Sequence, residues 1–133
     1  MLAVLDLRID LHTGVAPYAQ VVQQVKQALR LGWLQPGDQL PTVHEVAATV
    51  VINPNTVQKA YKELEHEGLV VGRPGRGTFI VRSLTQTTPA SLTMLSRRLE
   101  RWVVAARAAG LDDDGIMDVV RATMWAANAE ASA

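Results

Sequence analysis

A helix-forming stretch that begins at Pro54 carries polar side chains on one face. Its apolar residues recur with the i, i+3, i+4, i+7 spacing of a buried helical face: Val57, Ala60, Tyr61 and Leu64. The opposite face carries amide and ammonium groups: Asn55, Gln58, Lys59 and Lys62. Amides pair with adenine edges and ammonium groups suit guanine or phosphate, so Asn55, Gln58 and Lys59 are candidate readers of DNA bases. The alternative is an ordinary solvated face.

A glycine-rich loop with two arginines lies between two runs of β-forming residues. Residues 69–71 and 78–81 are largely apolar or β-branched, and three glycines lie between them. This pattern predicts a hairpin. Glycines let a backbone approach phosphate and arginine favours narrow minor grooves, so the loop is a candidate DNA contact. Its candidate residues are Arg73, Arg76, Gly77 and Thr78. The alternative is a solvated turn.

Two helix starts are marked by residues that also suit contact with DNA. Thr42, with Glu45 three residues later, forms a capping-box pattern. Asn53 followed by Pro54 is a strong start signal for the next helix. Thr56 lies near the free N–H groups of that start and is a candidate phosphate contact. Three further residues complete the candidate DNA contacts: Thr42, His44 and Asn53. The alternative role of Thr42 is to cap the helix only.

The order of the predicted elements sets the fold class. Alternating polar and apolar residues over 5–11 predict a half-buried strand. Helical spacing then predicts helices at about 17–31, 43–49 and 54–67 before the hairpin, and at about 91–109 and beyond Asp112 after it. The chain is therefore expected to be mainly α with a small β-hairpin. We expect a winged helix-turn-helix over residues 1–82, a linker over 83–90 and a two-helix tail over 91–133.

The two tail helices carry apolar sides that are too small to form a core alone. They are therefore expected to pack against a second copy of the chain, as in a symmetric dimer. The candidate dimer contacts are Leu95, Leu99, Trp102, Val103, Ile116, Val120 and Met124. An alternative role for Trp102 and Trp125 is a pocket for a planar or cationic small-molecule effector.

Composition restricts the other classes of function. The chain has 133 residues, 13 basic and 13 acidic, and no cysteine, which excludes disulfides, thiolate metal sites and a cysteine nucleophile. No apolar run has the length of a membrane span, and the charged start is unlike a signal peptide, so an intracellular protein is expected. We also expect no catalytic site, no cofactor and no metal, because no nucleophile elbow, nucleotide loop or histidine cluster is present. Basic residues outnumber acidic ones between 54 and 82, so the zero net charge does not exclude DNA.

Five segments resemble the GntR family of regulators. Residues 36–42 (PGDQLPT) resemble the family's segment before the second helix, and residues 53–57 (NPNTV), 60–61 (AY) and 64–69 (LEHEGL) resemble its recognition helix. Residues 75–79 (GRGTF) are similar to its wing. The NPNTV form and the short tail are typical of the YtrA-like subfamily. The resemblance implies a dimeric repressor, commonly of a transporter operon. A symmetric dimer would bind a palindromic operator. Since the composition predicts an intracellular protein, the cytoplasm is the expected location.

Two positions depart from the family pattern. His44 stands where the family usually has an arginine that contacts DNA, and histidine carries only part of a positive charge near neutral pH. Val51 stands where the turn before the recognition helix usually has glycine, and a β-branched residue at positive φ costs about 1 kcal/mol or more. The fold alone also leaves open a protein–protein adaptor that does not bind DNA.

Overall fold

The computed structural model describes residues 5–132. The chain divides into two compact units, and the boundary between them in the sequence lies between Thr88 and Pro89. The first unit holds three helices and a hairpin, and the second holds two helices. The elements are α1 (Pro17–Arg30), α2 (Val43–Val50), α3 (Pro54–His66), β1 (Val70–Arg73), β2 (Gly77–Ile80), α4 (Pro89–Ala108) and α5 (Asp113–Ala131). The predicted fold class, mainly α with a small hairpin, is confirmed.

The helix starts follow the capping signals of the sequence. The Thr42 side chain accepts a 3.1 Å hydrogen bond from the backbone N–H of Glu45 at the start of α2. Asn53 does the same for the N–H of Asn55 at 2.9 Å, at the start of α3. Each side chain satisfies a backbone donor that has no partner within its helix. The beginnings of α2 and α3 are thus fixed by local chemistry.

The core of the first unit forms where α1 packs against α3. Val21, Val25 and Leu29 of α1 are fully buried, as are Val57 and Leu64 of α3. The contacts of α2 and the hairpin add further apolar residues to the same cluster: Leu40, Val46, Leu69, Val70 and Ile80. Burial of this cluster removes apolar surface from water and fixes how α3 is oriented.

The hairpin is an antiparallel pair with a third, shorter segment beside it. β1 and β2 pair in the register Val70↔Ile80 to Arg73↔Gly77. On the other edge of β2, the N–H of Leu40 donates to the Thr78 carbonyl at 2.9 Å, and the N–H of Ile80 donates to the Asp38 carbonyl at 2.8 Å. The segment before α2 therefore anchors the hairpin to the helices.

The predicted strand over residues 5–11 is wrong, because residues 5–10 form no strand and a turn begins at residue 11. Alternate burial is nevertheless observed, with Leu7 buried and Leu5 and Ile9 packed against the core. Side-chain amides of α1 take the place of a neighbouring strand. Gln24 bonds the N–H of Arg8 at 2.8 Å and its carbonyl at 2.6 Å, and Gln20 bonds the same groups of Asp10 at 2.8 and 2.6 Å.

The second unit is a pair of helices joined by a short turn. Gly110 has φ 100°, and the Asp112 side chain accepts a 2.8 Å hydrogen bond from the N–H of Gly115 to start α5. An ion pair of 2.7 Å joins Arg107 to Asp113, and both side chains are largely exposed. α4 begins at Pro89, so the last two residues of the expected linker are helical. Among the described helices, none combines the length and apolar character that crossing a membrane requires.

Candidate nucleic-acid interface

The outward face of α3 is polar and accessible. Asn55, Gln58, Lys59 and Lys62 are exposed, whereas Val57, Ala60 and Leu64 are fully buried behind them. The half-buried Thr56 donates its backbone N–H to the Asn53 carbonyl at 2.9 Å. The structure thus places the candidate base readers on one accessible surface at the beginning of α3.

The beginning of α2 lies beside this surface, and a tyrosine fixes it there. The buried Tyr61 donates its hydroxyl hydrogen to the Pro41 carbonyl at 2.7 Å, which joins the middle of α3 to the residue before the α2 cap. Burial raises the pKa of Tyr61, and the nearby Glu45 carboxylate raises it further, so the hydroxyl remains a donor at neutral pH. Thr42 and His44 are consequently presented, both exposed, next to α3.

The hairpin loop presents its two arginines to solvent. Arg73 and Arg76 are exposed, and the Arg73 guanidinium carbon lies 5.8 Å from the centroid of the Phe79 ring. The Gln39 side-chain amide donates to the Arg76 carbonyl at 3.0 Å. Gly77 has φ 121°, and a Cβ there would lie 2.5 Å from the Gln39 amide nitrogen. The positive φ favours glycine at residue 77, and a side chain there would also have to displace the Gln39 amide.

A groove runs between α3 and the hairpin. It joins the outward face of α3 to the loop and is lined by residues of both predicted groups, including Thr42, Gln58, Lys62, Arg73, Arg76, Gly77 and Thr78. Glu65 also lines the groove, and its carboxylate accepts a 2.5 Å hydrogen bond from the N–H of Gly72. Of the candidate residues of α3, Gln58 and Lys62 line this groove beside the hairpin, whereas Asn55 and Lys59 lie outside it on the exposed face of the helix.

Val51 adopts the left-handed conformation that the sequence identified as costly. Its φ is 55° and its ψ is 57°, and the residue ends α2 immediately before α3. The side chain is 86% exposed, so it gains almost no packing energy in return. The turn has the backbone geometry that glycine would adopt, and Val51 is strained because its Cβ is unfavourable at positive φ.

Lys59 is held by a residue that the sequence did not identify. Its ammonium nitrogen lies 3.9 Å from the centroid of the Tyr18 ring, in the first turn of α1. The sequence also did not identify Glu65 and Gln39, because each contacts the backbone of a residue distant in the chain, Gly72 and Arg76 respectively. Glu65 follows Lys62 by three residues on the same helix, which was a signal that it faces the same groove.

The tail residues with an expected role between subunits differ in exposure. Ile116 is buried within its own unit, and Val103 and Val120 are half-buried. The others are exposed large apolar side chains: Leu95, Leu99, Trp102 and Met124. Trp125, the second tryptophan of the alternative effector pocket, is 75% exposed. The second unit therefore presents apolar surface that a single copy leaves in water.

Comparison with known families and relatives places this architecture among transcription regulators. The family model described as "Bacterial regulatory proteins, gntR family" matches residues 17–80. The HTH-type transcriptional repressor YtrA of Bacillus subtilis is 39% identical over 107 residues, which cover 80% of this chain and 82% of that protein. This relative is a transcriptional repressor, in agreement with the expectation of a regulator rather than an enzyme.

Two solved structures share the fold. YtrA from Sulfolobus acidocaldarius, described as a GntR-family transcription factor, matches with a TM-score of 0.54 and 30% identity over 74% of this chain and 97% of that one. AraR(DBD) in complex with operator ORE1 matches with a TM-score of 0.50 and 26% identity, over 55% of this chain and 89% of that one. The first match extends beyond the first unit, and the second is a structure of a protein bound to its operator.

Proposed function

This chain belongs to the gntR family of bacterial regulatory proteins, and on that premise we propose that it is a homodimeric repressor that binds a palindromic operator. DNA-binding transcription regulation is the activity that its relatives support directly. The resemblance to the YtrA-like subfamily favours a transporter operon as the target, and the cytoplasm as the site of action.

The observation that carries the proposal is the exposed polar face of α3 beside the groove between α3 and the hairpin. In a helix-turn-helix, the beginning of the second helix enters the major groove, and here that beginning presents Asn55, Gln58 and Lys59. The exposed Arg73 and Arg76 line the groove beside this helix, which also reaches Gln58, and there they are suited to the backbone or minor groove. Thr42, His44, Asn53 and Thr56 would lie beside the phosphates, together with Lys62, Gly77 and Thr78.

The exposed apolar residues of the second unit support the dimer. Leu95, Leu99, Trp102 and Met124 would be covered by a second copy, which removes their surface from water. A two-fold axis would then place two α3 helices about 34 Å apart, one turn of DNA. The alternative role for part of this surface is to bind a small-molecule effector near Trp102 and Trp125.

Selection of bound duplexes from a random pool, with the full chain, tests the proposal. We expect a palindrome with half-sites about one helical turn apart, and binding that weakens steeply between 50 and 200 mM salt, roughly as expected for several phosphate contacts. A pool without enrichment, or retention that does not change with salt, would contradict DNA recognition. Enrichment of a single, non-repeated half-site would contradict the dimer.

Paired variants then assign the residues. Arg76→Ala should weaken binding to all duplexes alike and lower the salt dependence by about one counterion. Asn55→Ala should cost about 1–3 kcal/mol and relax the preference at one base pair. Arg30→Ala is the matched control, because this exposed arginine ends α1 outside the groove. An equal loss with Arg30→Ala would assign the effect to overall charge.

A further inference from the structure

The cation–π contact between α1 and α3 joins a half-buried ring to an exposed cation. Tyr18 is half-buried and packs against the core of the first unit, so the position of its ring is set by the fold. Lys59 is exposed on the outward face of α3, with its ammonium 3.9 Å from the ring centroid. The negative face of the aromatic ring attracts the lysine ammonium in this position.

This contact restricts the lysine without neutralising it. Lys26, on the same helix as Tyr18, pairs with the Glu67 carboxylate at 2.7 Å, and a pair of that kind would compete with phosphate. In the described part of the chain, Lys59 has no such ion pair. Its positive charge and its three N–H donors therefore remain available to an acceptor on DNA.

We propose that Tyr18 is a positioning residue for DNA binding, whose ring holds the Lys59 ammonium ready for an acceptor atom of the operator. The inference rests on the proposed function, because it assigns a partner of α3 at the same surface. It adds a residue of α1, outside the helix-turn-helix, to the determinants of affinity. The acceptor is a phosphate oxygen or a guanine edge, and the experiment distinguishes them.

The physical gain is a smaller loss of entropy on binding. Fixing a lysine side chain costs rotamer freedom, and this cost opposes binding. When the ring has already restricted the side chain in the free protein, part of that cost no longer opposes association. Tyr18 thus increases affinity without touching DNA.

The experiment measures affinity of the full chain for its selected duplex in a double-mutant cycle. Tyr18→Leu keeps apolar volume and removes the ring, and we expect binding to weaken about two- to fivefold per subunit. Tyr18→Phe keeps the ring and should bind like the unmodified chain. In a Lys59→Met background, Tyr18→Leu should cause no further loss. A fall of about one counterion in the salt dependence of Lys59→Met identifies phosphate as the acceptor, and altered base preference identifies guanine.

A DNA-free readout covers the case in which Tyr18→Leu is unstable. The ε-methylene protons of Lys59 should show an upfield ring-current shift in the NMR spectrum of the unmodified chain and of Tyr18→Phe, and lose it in Tyr18→Met. Absence of that shift overturns the proposal, as does tighter binding by Tyr18→Leu, which would mean that the ring withholds the lysine. An equal loss in the Lys59→Met background also overturns it, since the role of Tyr18 is then purely structural. Failure of the unmodified chain to select any duplex is instead the failure of the proposed function.

Discussion

The Glu65 carboxylate near the end of α3 accepts a 2.5 Å hydrogen bond from the backbone N–H of Gly72 in β1. This contact attaches the hairpin to the helix that presents Asn55, Gln58 and Lys59. It also places a negative charge in the groove that the two elements share. Glu65 therefore holds the hairpin in position, but its negative charge makes the surface less attractive to DNA.

Two variants of Glu65 separate these effects. Glu65→Gln keeps an acceptor oxygen and removes the charge, so we expect tighter binding to random duplex at low salt, by about threefold to tenfold, because a repulsive charge is lost. Glu65→Ala removes the acceptor as well, and amide hydrogen exchange at Gly72 should become faster while it remains slow in Glu65→Gln. Equal exchange rates in the two variants would show that the hydrogen bond does not hold the hairpin.

Val51→Gly should stabilise the protein. The left-handed backbone at φ 55° suits glycine, and the 86% exposed valine loses almost no packing when it is removed. The strain that is relieved exceeds the extra entropy of glycine in the unfolded chain, for a net gain of about 0.5–1 kcal/mol. Thermal unfolding should show a rise of a few degrees. Val51→Ala is the control, since alanine still has a Cβ at positive φ and should recover only a small part of the gain.

Tyr61→Phe should lower stability by about 1 kcal/mol, because the Pro41 carbonyl loses its donor. The same variant changes the response to alkali. Burial raises the pKa of Tyr61 in the folded state above its usual value of about 10. Its contribution to stability is therefore complete below pH 10 and is lost as pH rises further, since the unfolded chain ionises first. Urea unfolding from pH 8 to 11 should show a shallower decline for Tyr61→Phe, and parallel declines would contradict this account.

Gln24→Leu should release the N-terminal segment without unfolding the first unit. The variant removes both hydrogen bonds to the backbone of Arg8 and leaves the buried residues of α1 in place. Hydrogen exchange at the Arg8 amide should accelerate, while that of the α1 amides changes little. The exposed Gln23→Leu is the control on the neighbouring position. Accelerated exchange throughout α1 would show instead that the segment is part of the cooperative core.

Local signals predicted much of the fold. Thr42, Asn53 and Asp112 marked three helix starts, and each caps its helix by a hydrogen bond to a backbone N–H two or three residues ahead. Capping depends on neighbours in sequence, so it is readable before the fold is known. The helical period of α3 likewise separated its buried residues from its outward ones, because both faces repeat every 3.6 residues.

Pairings between distant residues could not be predicted. Alternation over residues 5–11 correctly identified Leu5, Leu7 and Ile9 as inward, but Leu11 is 74% exposed. It did not indicate that glutamine side chains of α1 would replace a partner strand. The contact of Lys59 with Tyr18 depends on how α1 crosses α3, and that crossing is set by the whole core. In the same way, nothing near Glu65 in the sequence indicates that Gly72 would lie opposite it.

Gln20 and Gln24 of α1 can both bond the backbone of residues 8–10 because the helical repeat of α1 matches the spacing of alternate residues in that segment. Gln20 and Gln24 are one helical turn apart, about 6 Å along the axis, and the two backbone positions that they hold lie about 6.6 Å apart in an extended chain. The amides hold main-chain atoms, which every residue except proline supplies in the same form. The outward residues of this segment are thus free to diverge among descendants of the gene, whereas a deletion of one residue would turn Leu7 from the core to the water.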